Sequence, residues 1–170
     1  MRRGRHDGGG YGTLRLMIMA LSADLAVKGA ARFFLSGKTV PLVFGFRLEL
    51  HLNSGVSFGL TPTLGWAVGL LGLAVLLGLT WASIGGTGRA GCGLALLWAG
   101  GLSNALERLF LGSVTDFFLV PLRRLPLVPL SGLYLNLADL WLFFGAVLLL
   151  LDFLSHTKGG GGEPSAADKP

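Results

Sequence analysis

Four long apolar stretches dominate the chain, and each is close to the roughly 20 residues that a helix needs to cross a membrane. The first contains charged residues, the second contains none, the third ends with Glu107 and Arg108, and the fourth holds Asp139 near its start. The stretches run from Leu14 to Leu35, from Leu60 to Ile84, from Ala90 to Leu111 and from Leu133 to Leu154. This pattern predicts an all-α membrane protein with four transmembrane helices.

The two longer connections between these helices differ in pattern. In Ser36–Gly59, the segment Val40–Leu52 contains stretches such as Phe46–Leu52 in which apolar and polar residues alternate, which is typical of a half-buried strand. We therefore predict a small extracytoplasmic β-element that lies against the outer membrane face. The connection Gly112–Gly132 is predicted to be irregular, because it contains three prolines, Pro121, Pro126 and Pro129.

Composition supports lipid as the main solvent. Hydrophobic residues make up 52% of the chain, and charged residues make up 14%, against about 25% in soluble proteins. Mean hydropathy is +0.66. A chain of 170 residues cannot bury this much apolar sequence in a core of its own. The ends, residues 1–12 and 156–170, are rich in glycine and polar residues and are predicted to be disordered tails.

The distribution of charge predicts the topology. The net charge is +5, and Arg2, Arg3 and Arg5 lie just before the first apolar stretch, as expected of a cytoplasmic flank. Four spans then place both termini in the cytoplasm and the two longer connections outside. Because the basic residues flank helices, we predict no nucleic-acid partner. Cys92 is the only cysteine, so the chain has no intrachain disulfide.

Two aspartates are the strongest candidates for chemistry. Asp116 follows the third predicted helix, and Asp139 lies near the start of the fourth. Antiparallel packing of these helices would bring both carboxylates to one depth near the outer face. Two adjacent carboxylates share a proton, so that one can activate water while the other acts as an acid. This chemistry needs no metal and no cofactor. On spacing alone, two unrelated interfacial acids are an equal alternative.

Charged side chains within a span are costly and need a partner or a purpose. Asp24 and Lys28 are spaced i, i+4 in the first predicted helix, in the order that favours a helical ion pair. They are either a self-neutralising structural pair or a brace for the candidate site.

The third and fourth predicted helices carry further polar groups. Asn104 and Arg108 are spaced i, i+4, and a guanidinium offers five donors to carboxylates or carbonyls. Glu107 is one step round the helix and is expected to face the lipid headgroups. Asn136 and Asp139 are spaced i, i+3, so they share one face of the fourth helix.

Five segments in this order resemble signal peptidase II, the bacterial lipoprotein signal peptidase family. Asp24 and Lys28 resemble its D-x-x-x-K element. Asn53–Gly59 is similar to its N-x-G-x-x-F-G element, and Gly100–Arg108 to its G-G-x-x-N-x-x-x-R element. Val114–Phe117 is similar to its V-x-D-[FY] element, and Asn136–Asp139 to its N-x-A-D element.

The resemblance implies an aspartic endopeptidase of the bacterial inner membrane, with residues 13–155 as its four-helix membrane peptidase domain. It would remove signal peptides from diacylglyceryl-modified prolipoproteins by cleaving on the N-terminal side of the lipidated cysteine. Asp116 and Asp139 would be catalytic. The expected partners are these substrates and membrane lipid, and the protein is expected to be a monomer without metal or cofactor.

The resemblance also implies roles for residues around the aspartates. Asn53 and Arg108 would make polar contacts with the substrate backbone or with the aspartates. Gly55 would allow close backbone approach, or it would simply form a turn. The remaining residues expected to bind substrate or support the site are Asn104, Asn136, Asp24 and Lys28.

The chain departs from the family pattern at three positions of these elements. Ser103 replaces a usual glycine, Glu107 a usual aspartate and Leu135 a usual phenylalanine. The stretch between the aspartates is also slightly long and carries Arg123 and Arg124. The substrate range therefore stays open, and a specialised paralogue is an alternative to the general enzyme.

Other classes of membrane protein fit less well. The chain lacks the Gly-x-Ser-Gly element of serine-type intramembrane proteases and the Gly-x-Gly-Asp element of presenilin-like ones, and it has no His/Glu cluster for a metalloprotease. A non-enzymatic transporter subunit or assembly factor would distribute its ionisable groups through the bilayer depth. Here both aspartates are expected at one face.

Overall fold

The computed structural model describes residues 7–54, 65–82, 88–122 and 132–159. Within these ranges the chain forms four helices and four strands. In chain order they are α1 (Asp7–Phe34), β1 (Thr39–Pro41), β2 (Arg47–Asn53), α2 (Gly65–Ala82), α3 (Arg89–Leu111), β3 (Val114–Pro121), β4 (Gly132–Leu135) and α4 (Leu137–Gly159). A short 3-10 turn, Val43–Gly45, separates β1 from β2.

Each of the four predicted helices is present, with different ends. α1 begins at Asp7, before the predicted start at Leu14. α4 begins only at Leu137, because Leu133 and Leu135 belong to strand β4. The predicted disordered tails, residues 1–12 and 156–170, were too long, because residues 7–12 belong to α1 and residues 156–159 to α4. Disorder of residues 1–6 and 160–170 stays a prediction, since they lie outside the described ranges.

Helix α3 packs against all three other helices, most extensively against α4, whose backbone it approaches closely. Glycines make this approach possible. A Cβ added at Gly100 would lie 2.5 Å from the carbonyl oxygen of Ala138, and one added at Gly145 would lie 2.7 Å from the carbonyl oxygen of Gly93. Backbone atoms cannot move away as a flexible side chain can. Small residues at such contacts are typical of helices that pack within membranes.

The outer surface of the helices is strongly apolar. Large hydrophobic side chains that are more than a third exposed occur on every helix, and examples are Ile18, Leu71, Phe110 and Phe143. A soluble monomer rarely exposes so many. Among the described residues, one helix, Leu137–Thr157, is long and apolar enough by composition to cross a membrane, and Gly69–Trp81 is a shorter apolar helix.

The four strands form one antiparallel sheet in the order β1-β2-β3-β4. Thr39 is paired with Glu49, Asn53 with Val114, and Phe118 with Leu135. The predicted β-element is therefore confirmed, as the β1–β2 hairpin. The chain is mostly helical with this small sheet, rather than all-α.

The prediction that Gly112–Gly132 is irregular was wrong for its described part. Val114–Pro121 is strand β3, and Gly132 begins strand β4. The segment before Pro121 is rich in β-branched and aromatic residues, which favour strands, and Pro121 is the last residue of β3. Pro126, Pro129, Arg123 and Arg124 lie outside the described residues.

Candidate active site

The two candidate aspartates reach one cavity from different elements. Helix α3 ends at Leu111 and is followed by Gly112, whose φ of 71° is left-handed, a common way to end a helix. The chain then enters β3, where Asp116 is only 3% exposed. Asp139 lies in the first turn of α4. Both line a cavity of about 200 Å³, whose other polar side chains are those of Asn53, Asn104, Arg108, Tyr134 and Asn136.

One amide side chain connects the two aspartates. The Nδ2 of Asn136 donates to Oδ1 of Asp116 at 2.7 Å. The Oδ1 of Asn136 accepts from the backbone N–H of Asp139 at 3.0 Å, and the backbone N–H of Asn136 donates to Oδ2 of Asp139 at 2.9 Å. The second pair of bonds is a reciprocal capping arrangement at the start of α4. Asn136, which caps the start of α4, therefore also orients Asp139 and contacts Asp116.

Asp116 is held on both of its oxygens. Asn136 donates to Oδ1, and Asn53 donates to Oδ2 at 3.2 Å. Burial raises the pKa of Asp116 above its ordinary value, and the charge of nearby Asp139 acts in the same direction. The two amide hydrogen bonds and His51, its cross-strand neighbour, act against this rise. The net effect favours a proton on the pair.

A buried cluster of charges lies behind the cavity, centred on Lys28. Its ammonium is 2.9 Å from Oδ2 of Asp24 and 3.1 Å from Oε2 of Glu107. It also donates to Oδ1 of Asn104 at 2.7 Å and to Oγ of Ser103 at 3.3 Å. Lys28 is 1% exposed, so this cation is compensated almost wholly by protein groups.

Asp24 connects this cluster to α4. Its Oδ1 accepts from the backbone N–H of Ala138 at 2.7 Å, which is one of the donors that the start of a helix leaves unpaired. Its Oδ2 accepts from the Ser103 hydroxyl as well as from Lys28. Asp24 thus acts as a cap supplied by another helix, bound to the residue directly before Asp139.

Glu107 makes the equivalent connection to β3. Oε2 accepts from the backbone N–H of Thr115 at 2.9 Å, and Oε1 accepts from its hydroxyl at 2.6 Å. Arg32 donates to the same hydroxyl at 2.6 Å and pairs with Glu107 at 3.2 Å. The expectation that Glu107 faces the headgroups was wrong, because it is buried and binds the residue directly before Asp116.

Most of the predicted site residues converge. Asn53, Asn104, Arg108 and Asn136 line the cavity with the aspartates, and Asp24 and Lys28 form the predicted ion pair behind it. Gly55 lies outside the described residues.

Sequence reasoning did not assign Arg32, Ser103 or Thr115 to the site. Arg32 follows Lys28 by four positions, so the D-x-x-x-K spacing could have been extended to it. A threonine on a strand carries no such signal.

A larger groove adjoins the cavity. A groove of about 550 Å³ runs between α2, α3 and α4, and it shares Asn104, Arg108 and Asp139 with the cavity. The rest of its lining is apolar or glycine, and examples are Val75 and Leu142. A polar cavity with two carboxylates therefore adjoins an apolar groove along the helices.

The donor set suits acid–base chemistry at a carbonyl. The carboxylates of Asp116 and Asp139 can exchange a proton with water, and Arg108 brings a permanent positive charge to the same cavity. Among the described residues, no group of three or more His, Cys, Asp or Glu side chains is arranged to hold a metal ion.

Comparison with known proteins relates this arrangement to a family. The model of the family described as Signal peptidase (SPase) II matches residues 16–155. A lipoprotein signal peptidase from Ralstonia nicotianae is 32% identical over 168 residues, covering 91% of this chain and 92% of the relative. One from Methylorubrum extorquens is 31% identical over 169 residues, covering 88% and 96%.

Two solved structures, each described as a bacterial membrane enzyme, share the fold. One has a TM-score of 0.73 at 17% identity and covers 96% of this chain and 99% of its own. The other has a TM-score of 0.70 at 19% identity and covers 91% and 98%. Since the family model spans most of the chain, and relatives at 31% and 32% identity cover nearly all of it, this protein is a peptidase that belongs to the signal peptidase II family.

Proposed function

We propose that this protein removes signal peptides from diacylglyceryl-modified prolipoproteins, with Asp116 and Asp139 as its catalytic pair. The observation that carries the proposal is the shared cavity, in which Asn136 binds both aspartates from opposite sides of one amide. The relatives' printed name, lipoprotein signal peptidase, supports the substrate class.

The reaction needs one proton on the pair. The ionised carboxylate takes a proton from a water molecule, and the resulting hydroxide attacks the scissile carbonyl carbon. The protonated carboxyl donates its proton to the carbonyl oxygen, so that a gem-diol forms. The other carboxyl then passes the proton that it took from water to the leaving amine as the C–N bond breaks, and a gem-diol hydroxyl returns one proton to the pair. That amine belongs to the lipidated cysteine, so the signal peptide leaves with the new carboxylate. Arg108 and Asn53 hold the peptide backbone or the aspartates in line.

The groove explains how a lipid-bearing substrate could reach a polar site. Acyl chains stay in an apolar environment between α2, α3 and α4, while the scissile bond lies in the adjoining cavity with the aspartates. Binding energy from the lipid then orients the peptide for attack. Asn104, Arg108 and Asp139 stand at the junction of the two spaces.

The proposed topology follows from this substrate. All four helices cross the bacterial inner membrane, both termini are cytoplasmic, and the sheet lies at the outer face, where lipidated precursors are processed. The protein acts as a monomer without a metal or a cofactor. The apolar surfaces of all four helices support this arrangement, as does the arginine-rich start of the chain.

The departures from the family pattern favour the general enzyme over a specialised paralogue. Ser103 and Glu107 are buried in the charge cluster and bind Asp24 and Thr115 rather than substrate. Leu135 is the only one of the three that lines the cavity. The substitutions therefore alter the hydrogen bonds that support the two aspartates more than they alter the lining of the cavity.

Asp116→Asn and Asp139→Asn should each reduce cleavage to below a few per cent of the parent rate, because a shared-proton pair fails when either member cannot exchange its proton. The measurement is turnover of a lipidated prolipoprotein by purified protein in detergent. Asp152→Asn is the matched control, since Asp152 lies near the other end of α4 beside His156. Full activity in either cavity variant would remove that aspartate from the mechanism.

The diacylglyceryl-modified precursor should be cleaved much faster than the same precursor with a free cysteine thiol, because only the lipidated form can occupy the apolar groove. Both substrates are compared at matched detergent and protein concentrations. Equal rates on the two precursors would indicate a general membrane peptidase.

Asn53→Ala and Arg108→Ala should lower the rate on the lipidated precursor while the thermal unfolding temperature stays near that of the parent.

Thr115→Val should slow cleavage roughly tenfold, equivalent to about 1.4 kcal/mol, because it removes the hydroxyl that joins Glu107 and Arg32 beside Asp116. The loss should fall on kcat, with KM nearly unchanged. Thr80→Val is the control, since its hydroxyl bonds to Leu76 and Trp98 away from the cavity. Equal effects of the two variants on kcat would show that Thr115 has no positioning role.

A further inference from the structure

The tip of the β1–β2 hairpin presents two apolar side chains outward. Phe44 is 90% exposed and Val43 is 73% exposed. The backbone there is tightly closed, since the N–H of Leu42 donates to the carbonyl of Phe46 at 2.8 Å and the N–H of Phe46 donates to the carbonyl of Val43 at 3.2 Å. We call Leu42–Phe46 the hairpin tip.

Phe44 occupies a conformation that its residue type disfavours. Its φ is 59°, the only positive φ of a non-glycine residue in the described ranges. Gly45 follows with a φ of 86°, where glycine meets no steric penalty. Glycine or asparagine would suit position 44 better. A strained aromatic residue that contributes little to packing within the chain suggests an apolar partner outside it.

The sheet carries this tip along the sides of the helices. Phe46 stacks on Phe118 with ring centroids 5.5 Å apart. Phe118 in turn lines an apolar crevice of about 330 Å³ together with Val27 of α1 and Leu140 of α4. Val27 lies about 10 Å along the helix axis from the end of α1 at Phe34. This part of the sheet therefore lies beside the helices, at a depth inside their outer ends.

The neighbouring helix surfaces are those that lipid would cover. Phe33 and Phe34 at the outer end of α1 are exposed, as are Leu140 and Phe143 on α4. Through the contact of Phe46 with Phe118, and of Phe118 with the crevice lined by Leu140, this exposed apolar surface connects to the hairpin tip.

Two basic residues flank the tip along the chain. Lys38 and Arg47 are both exposed, on either side of β1 and the 3-10 turn. Long basic side chains beside an apolar tip can bind lipid phosphates while the tip lies deeper. This charge pattern matches a phospholipid surface.

We propose that the hairpin tip, through Val43 and Phe44, inserts into the outer leaflet of the membrane. The tip then fixes the sheet at the bilayer surface. β2 runs from the tip to Asn53, which donates to Asp116, so the lipid contact is joined to the catalytic cavity by one strand. The proposal concerns membrane contact and does not depend on which residues are catalytic.

Site-directed spin labelling tests the insertion without an activity assay. The label is placed at Phe44→Cys in a Cys92→Ala background, in nanodiscs of phosphatidylethanolamine and phosphatidylglycerol. Phe33→Cys serves as the apolar reference and Lys38→Cys as the headgroup reference. We expect the label at position 44 to be more accessible to oxygen than to a water-soluble nickel chelate, as at position 33. Accessibility like that at position 38, or higher to nickel, would overturn the proposal.

A second label separates the phenylalanine from the fold of the turn. The label is placed at Val43→Cys and compared with and without Phe44→Asn, since asparagine tolerates the left-handed backbone but removes the apolar ring. We expect the second change to shift the label at position 43 towards the water phase. An unchanged depth would show that Phe44 does not anchor the tip. Dipolar coupling between labels at position 44 would identify a second copy of the chain as the partner instead and would also overturn the proposal.

Discussion

The ammonium of Lys28 lies between two buried carboxylates, those of Asp24 and Glu107, and the site is built outward from this contact. A buried cation that loses its partners costs about 3–5 kcal/mol. With Arg32 on Glu107, the cluster holds two acids and two bases, so its formal charge is balanced. This balance allows Asp24, Lys28 and Glu107 to remain buried, beside a half-buried Arg32, in a bundle whose outer surface is apolar.

Each carboxylate of the cluster binds the element that carries one of the two cavity aspartates. Asp24 binds the N–H of Ala138, and Glu107 binds the N–H of Thr115, so each anchors the residue directly before a candidate catalytic aspartate. Asn136 then joins the aspartates to each other. A change in the distance between α1 and α3 would therefore shift the backbone that carries Asp116 and Asp139, and so displace both carboxylates. This accounts for charged residues on α1 that lie outside the cavity itself.

The helices and the proximity of Asp116 and Asp139 could be predicted because each leaves a local signal. Apolar length predicts the helices, and ionisable residues stand out in apolar sequence. The strand β3 could not be recognised, because Pro121 and the later prolines suggested a loop while Val114–Val120 paired with a distant strand. Glu107 was misplaced for a related reason. Helical spacing places it one step round from Arg108, but its burial depends on Lys28 and Thr115, and only the tertiary fold brings these together.

We propose that Asp116 and Asp139 activate water directly. Single-turnover cleavage of a lipidated prolipoprotein in water labelled with heavy oxygen tests it, with mass analysis of the released signal peptide and of the enzyme. Direct attack by water predicts label in the new peptide carboxylate after the first turnover and none in either aspartate. An unlabelled peptide, with label in Asp116 or Asp139, would instead show a covalent acyl intermediate and contradict the account.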